Sequence, residues 1–188
     1  MKLLVGLGNP GKQYELTRHN AGFLALDILK KKLNADSWSE NKKFSALLSS
    51  AIFNEEKVIL AKPVTFMNLS GTAIRALSDY YKIKPEDIWV FHDDADLPLG
   101  KLRIGHFNSA GGHNGLKSLQ DHLLNDNFLR FRLGIGKSTK PEQELKDFVL
   151  EKFSTDEKQL LNNLLDQAAT ACILALEKPL PEVLNKYN

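Results

Sequence analysis

The chain has 188 residues, of which 43% are hydrophobic and 26% charged, a balance that excludes disorder and suits one globular domain spanning residues 1–188. Its longest apolar runs, such as Leu3-Leu4-Val5, are too short to cross a bilayer, and a lone Cys172 excludes an internal disulfide and a cysteine-rich metal site. With a net charge of +2 and a first strand in place of an apolar leader, the expectation is a cytosolic protein whose overall charge selects no partner.

A first strand is predicted over Lys2–Leu7, followed by a helix over Ala21–Leu33. Two strands, Ser45–Phe53 and Lys57–Lys62, flank the short polar link Asn54-Glu55-Glu56 and read as an antiparallel hairpin. Ile74, Leu77 and Tyr81 give a helical stripe for a helix over Leu69–Tyr81. Strands over Asp87–His92 and Lys101–Phe107 come next, then a helix over Leu116–Asn125 with Leu116, Leu119 and Leu123 on one face. The strand Arg130–Gly136 alternates, with Phe131, Leu133 and Ile135 on one side and Arg130 and Arg132 on the other. Helices over Pro141–Leu150 and Thr155–Glu177 close the reading, the second opened by the capping box Ser154 to Glu157. Its stripe of Leu161, Leu164, Leu165, Ala168, Cys172 and Ala175 makes Cys172 a packing residue. Strands and helices mixed throughout imply an α/β domain, a twisted mixed sheet with helices on both faces.

Gly6-Leu7-Gly8-Asn9-Pro10-Gly11 fits the bare pattern G-x-G-x-x-G after a strand. A dinucleotide site needs the last glycine to open a helix that holds the pyrophosphate. Here Lys12 to His19 carry no helical stripe and Pro10 sits inside the turn, so a ligand-facing turn without a dinucleotide is expected. His19 stands just ahead of a helix, where a histidine is by itself more often a cap or surface group than a base. His106 and His122 read as structural. His92-Asp93-Asp94-Ala95-Asp96 ends a strand and suits either a hard cation or the orienting of a histidine from another loop. No second cluster has metal-ligand spacing, so the orienting use is preferred and no metal is expected.

Two further loops, Thr65-Phe66-Met67-Asn68-Leu69-Ser70-Gly71 and Ser109-Ala110-Gly111-Gly112-His113-Asn114-Gly115, each precede a helix. Their plain reading is a helix cap by Asn or Ser. An asparagine also offers a donor and an acceptor, so Asn9, Asn68 and Asn114 could read a substrate amide or support a developing oxyanion. Together with His19 and Asp93 they suit ester cleavage without a side-chain nucleophile. From Lys101 to Lys140 there are seven basic residues against two acids, which favours a polyanion on that face.

These stretches carry a resemblance. Val5 to Gly11 with Tyr14, Thr17-Arg18-His19-Asn20-Ala21-Gly22, Pro63 to Gly71, His92-Asp93-Asp94 through Pro98, Gly111 to Lys117, Arg132 to Gly136 and Phe148-Val149-Leu150 closely resemble bacterial peptidyl-tRNA hydrolases. Ser138, Leu99 and Glu151 depart from the usual pattern at loop and rim positions. The resemblance implies a single α/β domain, generally monomeric, with no metal or organic cofactor. It implies hydrolysis of the ester joining a peptide to the 3′ ribose of tRNA. It further implies His19 as catalytic residue, Asp93 as the group that holds and polarises it, and Asn9 as the residue separating blocked from free aminoacyl-tRNA. Tyr14, Phe66, Asn68 and Asn114 match substrate-contact positions.

The residues read on their own agree with that chemistry. An ester needs an activated water, and a neutral imidazole suits the removal of its proton. Lys101, Arg103 and Arg132 would hold the acceptor stem by its phosphates, which tolerates many tRNA sequences. A serine or cysteine nucleophile is the rival mechanism, but no Gly-x-Ser-x-Gly elbow occurs. A nucleotide-cofactor enzyme and a catalytically idle RNA-binding domain are the rival functions.

Overall fold

The computed structural model describes residues 1–124, 127–138 and 142–188. In chain order they form β1 (Lys2–Gly6), α1 (Ala21–Lys32), β2 (Ser39–Asn41), β3 (Ala46–Phe53), β4 (Glu56–Pro63), α2 (Ser70–Tyr81), β5 (Ile88–Asp94) and β6 (Leu102–Gly105). Then follow α3 (Asn114–Leu123), β7 (Leu129–Gly134), α4 (Leu145–Phe148), α5 (Thr155–Glu177) and α6 (Leu180–Tyr187). The strands make one sheet in the order β2-β3-β4-β1-β5-β7-β6. Its centre, β4-β1-β5-β7, is parallel, while β2, β3 and β6 pair antiparallel at the two sides. The class expected from the sequence, a mixed α/β sheet with helices on both faces, is the one observed.

Parallel strands between two helical layers are apolar on both sides, as β1, β4 and β5 are over most of their length, while β7 is apolar on one. Leu4, Leu60, Phe91 and Phe131 pack on one face against Leu26 and Leu29 of α1 and Leu161, Leu164 and Leu165 of α5. Leu3, Val5, Ile59 and Val90 face the opposite way, toward Ile74 and Leu77 of α2 and Leu116 and Leu119 of α3. Each such buried side chain contributes about 1.5–3 kcal/mol. Cys172 is fully buried within the first of these layers, as its stripe predicted.

Several boundaries differ from the sequence reading for physical reasons. Strand β6 stops at Gly105, and Phe107 turns away to lie under the Arg132 guanidinium at 4.7 Å. Helix α3 starts at Asn114, ahead of the predicted Leu116, because His113 supplies its cap. The predicted end of that helix, Asn125, lies outside the described residues, as do Asp126 and Lys140 of the basic stretch. The helix predicted from Pro141, itself outside the described residues, is one turn, Leu145–Phe148. The polar edge strand β2 and the terminal helix α6 were not predicted.

Candidate active site

Strands β1 and β5 are parallel neighbours, so the turns after Gly6 and around Asp93 open at the same edge of the sheet. That edge, beyond the carboxyl ends of parallel strands, is where α/β sheets receive ligands. Helix α1 begins directly over it because Gly22 has no side chain. A Cβ there would lie 2.3 Å from the Phe91 carbonyl oxygen and 2.6 Å from the Leu7 nitrogen. This close approach carries the turn Arg18–Asn20, and with it His19, onto the strand ends.

His19 Nδ1 lies 3.0 Å from both carboxylate oxygens of Asp93, and His113 Nε2 lies 2.9 Å from Asp93 Oδ1. An ionised carboxylate only accepts, so both imidazoles donate to it. The Nδ1 proton of neutral His19 is thereby fixed, and its Nε2 carries the lone pair. The second ring is fixed independently. His113 Nδ1 accepts from the backbone N–H of Gly115 at 3.1 Å and of Leu116 at 3.3 Å, which caps α3 and leaves Nε2–H for Asp93.

Asp93 is 3% exposed. Its burial alone would favour the neutral acid, but the two imidazoles hold its carboxyl well below the usual range. For His19, burial opposes the cation, and the charge and hydrogen bond of Asp93 override it, so its pKa is raised. His92 behaves differently. Burial drives it down to about 3, with its Nδ1–H given to the Asp93 carbonyl oxygen at 2.8 Å, so it is a neutral structural ring.

The Gly8-Asn9-Pro10 turn is held to the same centre. Both backbone groups of Asn9 pair with the side chain of Asn20: Asn20 Oδ1 accepts from the Asn9 N–H at 2.8 Å, and Asn20 Nδ2 donates to the Asn9 carbonyl at 3.0 Å. The Asn9 side-chain oxygen accepts from the Met67 N–H at 2.9 Å. Since Met67 N–H can only donate, the amide orientation is fixed, with the oxygen on Met67 and the NH₂ without a hydrogen-bond partner among the described residues.

Beside this centre lies a cavity of 540 Å³, lined by His19, Asp93, Ala95, Phe107, Asn114 and Val149 among others. Its far wall, the segment around α4, is tied to the His19 turn. His19 N donates to the Val149 carbonyl at 2.8 Å and Arg18 N to the Glu151 carbonyl at 2.9 Å. The Arg18 guanidinium lies over Phe148 and Phe153 and grips both carboxylate oxygens of Glu157, at 2.9 and 2.8 Å.

The family model of peptidyl-tRNA hydrolase matches residues 3–188. The peptidyl-tRNA hydrolases of Bacillus thuringiensis subsp. konkukian and Geobacillus kaustophilus are 49% and 47% identical to this chain over 188 residues, covering all of each protein. The crystal structure of peptidyl-tRNA hydrolase from Acinetobacter baumannii matches with a TM-score of 0.93 at 34% identity, covering 100% of this chain and 94% of that one. This chain belongs to the peptidyl-tRNA hydrolase family.

In this member of the family the remaining predicted residues fall into two groups. Phe66 and Asn68 are exposed on the turn that holds Asn9, and Asn114 is exposed at the start of α3, on the cavity wall. Among the described residues, no hydrogen bond engages the side-chain amide of Asn68 or Asn114. Tyr14 is half-buried in the turns after Gly11 and does not line the cavity. Lys101 and Arg103 are exposed at β6, where Arg103 is registered directly against Arg132 of β7. Arg132 is held by Asp94, Nε to Oδ2, at 2.6 Å.

The basic stretch needs correcting. Arg130 is 1% exposed and donates to the Ser109 carbonyl, so it braces a loop and is not a surface contact. Lys137 pairs with Asp96 at 3.6 Å. His122 is structural as expected, with Nδ1 on the Ser118 carbonyl. His113 is the residue that sequence reasoning missed. Its position one residue ahead of a helix was the available signal, but the cap was sought among Asn and Ser.

Proposed function

We propose that this protein hydrolyses the ester between a peptide, or an N-blocked amino acid, and the 3′ ribose of tRNA, with water activated by His19. Family membership over the whole chain supports the activity. The observation that supports the mechanism is the pair of His19 Nδ1 and Asp93 at 3.0 Å, which leaves Nε2 as the basic nitrogen beside an open cavity. Nε2 takes a proton from water as the oxygen attacks the ester carbonyl. Asp93 steadies the imidazolium, and His113 holds the carboxylate from its other side. The proton then passes to the departing ribose oxygen, and free tRNA leaves.

The leaving group and the acyl group occupy different sides of His19 in this reading. The terminal nucleoside fills the cavity, and the strand that follows runs toward Lys101, Arg103 and Arg132, which bind phosphates. The acyl side lies along Asn9, Phe66 and Asn68, with Asn114 on the cavity wall between the two sides and Tyr14 at the rim. A donor aimed at a developing oxyanion is worth about 2.7–4 kcal/mol. Asn9, its oxygen engaged by the Met67 N–H, donates through its NH₂ to the carbonyl oxygen of the N-acyl group. A free aminoacyl ester offers an ammonium there, which has no acceptor and is itself a donor. The enzyme works without a metal or organic cofactor, as a monomer, in the cytoplasm where its substrate arises. Among the described residues no helix is long and apolar enough to cross a membrane.

The test is ester cleavage of N-acetylaminoacyl-tRNA and of free aminoacyl-tRNA by the purified protein. Rapid cleavage of the first and slow cleavage of the second are expected. Equal rates would remove the role of Asn9, and no cleavage of either would remove the function.

A further inference from the structure

We propose that Asn20 is a positioning residue for substrate discrimination: it holds Asn9 at a fixed angle to His19 so that the Asn9 amide reads an acyl carbonyl. The inference rests on the reading of Asn9 given above and adds to it the part that makes the reading selective.

Strand pairing ends just before this turn. Leu7 N still donates to the Phe91 carbonyl, at 2.9 Å, but Asn9 lies beyond the ladder and Pro10 after it has no N–H. Asn20, 2% exposed, accepts from one backbone group of Asn9 and donates to the other, as a neighbouring strand would. Without Asn20, the two backbone groups of Asn9 would lose these hydrogen bonds. A primary amide on a short stem is what this requires. Aspartate lacks the donor, serine cannot span both groups, and glutamine is one methylene too long for a buried site.

Asn20 also follows His19 directly, in the same turn. The clamp therefore joins the basic nitrogen and the Asn9 donor through one rigid dipeptide. With Asn9 Oδ1 on the Met67 N–H, the turn is fixed on two sides: Asn20 sets its backbone and Met67 sets its amide plane. If the backbone were free to tilt, the NH₂ would sample directions in which the N-acyl carbonyl and the ammonium are no longer told apart. The consequence falls on the ratio of substrates, more than on the rate for either.

The experiment measures kcat/KM for N-acetylaminoacyl-tRNA and free aminoacyl-tRNA, corrected for spontaneous hydrolysis, in the wild type, Asn20→Ala, Asn9→Ala and the double variant. A ratio taken within one preparation does not depend on the fraction of folded protein, so partial unfolding cannot imitate the effect. Asn20→Ala is expected to narrow the ratio about tenfold, the effect of one to two neutral hydrogen bonds. Asn9→Ala is expected to narrow it at least as much, and the double variant no further than Asn9→Ala alone. If Asn20→Ala does not fold, Asn20→Ser, which keeps an acceptor for the Asn9 N–H, is expected to give a smaller narrowing in the same direction. A narrowed ratio in Asn9→Ala with an unchanged ratio in the Asn20 variant overturns the clamp alone. Unchanged ratios in both overturn the reading of Asn9 and the clamp with it. Multiplying effects in the double variant overturn the claim that Asn20 acts through Asn9.

Discussion

Asp93 and the β6–β7 edge handle charge in opposite ways. Asp93 is buried with two imidazole donors in place, and the His113 ring is oriented in turn by two backbone amides of α3. Along the edge, Arg103 is exposed and registered opposite Arg132, and a directly opposed like pair costs about 0.2–1 kcal/mol. Among the described residues, Arg132 is offset by a neighbouring acid, Asp94, and Arg103 makes no such pair. One region is complete before substrate arrives, and the other holds cations that a polyanion would complete. Changes in the first should therefore fall on kcat, and changes in the second on KM and salt dependence.

The largest effects belong to the buried pair. His19→Ala removes the basic nitrogen and should lower kcat for ester cleavage by about 10²–10⁴-fold, with KM little changed. Asp93→Asn should follow with a smaller loss, because the amide lacks the negative charge that steadies the imidazolium and replaces one of the two acceptor oxygens facing His19 Nδ1 by a donor. The pH profile separates the two variants. Activity requires neutral His19, so kcat/KM should climb with pH through the raised pKa of this group. Without the Asp93 charge, burial acts unopposed and the inflection in Asp93→Asn should move to lower pH. The stability contribution has the opposite dependence. The His19 pKa is raised on folding, so its ion pair stabilises fully below the unfolded value and is lost as pH rises through the folded one. An inflection that stays in place in Asp93→Asn would detach the acid limb from His19.

The sequence made the first region partly legible and left its third member out. His19 and Asp93 each end or follow a strand, and parallel neighbours bring such ends together, so their meeting could be argued from element order. His113 could not be placed in that way. Its function depends on a tautomer set by two amides of α3 and a carboxylate on β5, and no periodicity encodes that. Arg130 shows the converse error. Strand alternation put it correctly opposite Phe131, but charge alone suggested solvent on that side, where the loop carbonyl of Ser109 receives it instead. In the fold, β1, β4 and β5 were readable as short runs apolar on both faces, and β7 by its alternation. Ser39–Asn41 was not, being three polar edge residues with no apolar side chain to mark a strand. Helix α6 did carry a signal, with Leu180, Val183, Leu184 and Tyr187 at helical spacing, in a segment only about two turns long.

An intermediate effect is expected at the edge. Replacing Lys101 and Arg103 together by glutamine should raise KM several-fold for full-length substrate. Its dependence on log salt should flatten by about two, one for each phosphate no longer neutralised. A substrate reduced to an N-acetylaminoacyl 3′ nucleoside should be cleaved as by the wild type. Equal losses on both substrates would mean that these residues serve the fold or the chemistry, and the contrast between the two regions would fail.

The smallest expected effect is none at all, and it tests the tautomers directly. Ligand-type atoms of His19, Asp93 and His113 lie within 4.8 Å of one another, a spacing that a transition metal could bridge. A metal-bound imidazole normally donates its second N–H to an acceptor. His113 does the reverse, since its Nδ1 receives the amides of Gly115 and Leu116. A cation on Nε2 would force a proton onto Nδ1, against two donors, and uncap α3. At His19, a cation on Nδ1 would move the proton to Nε2 and abolish the base. Treating the protein alone with a strong chelator, removing the chelator and assaying in magnesium buffer should leave kcat/KM unchanged. Activity lost on that treatment and restored by zinc or manganese would place a metal where the hydrogen bonds now put protons, and would make Asp93 a ligand in place of a polarising partner.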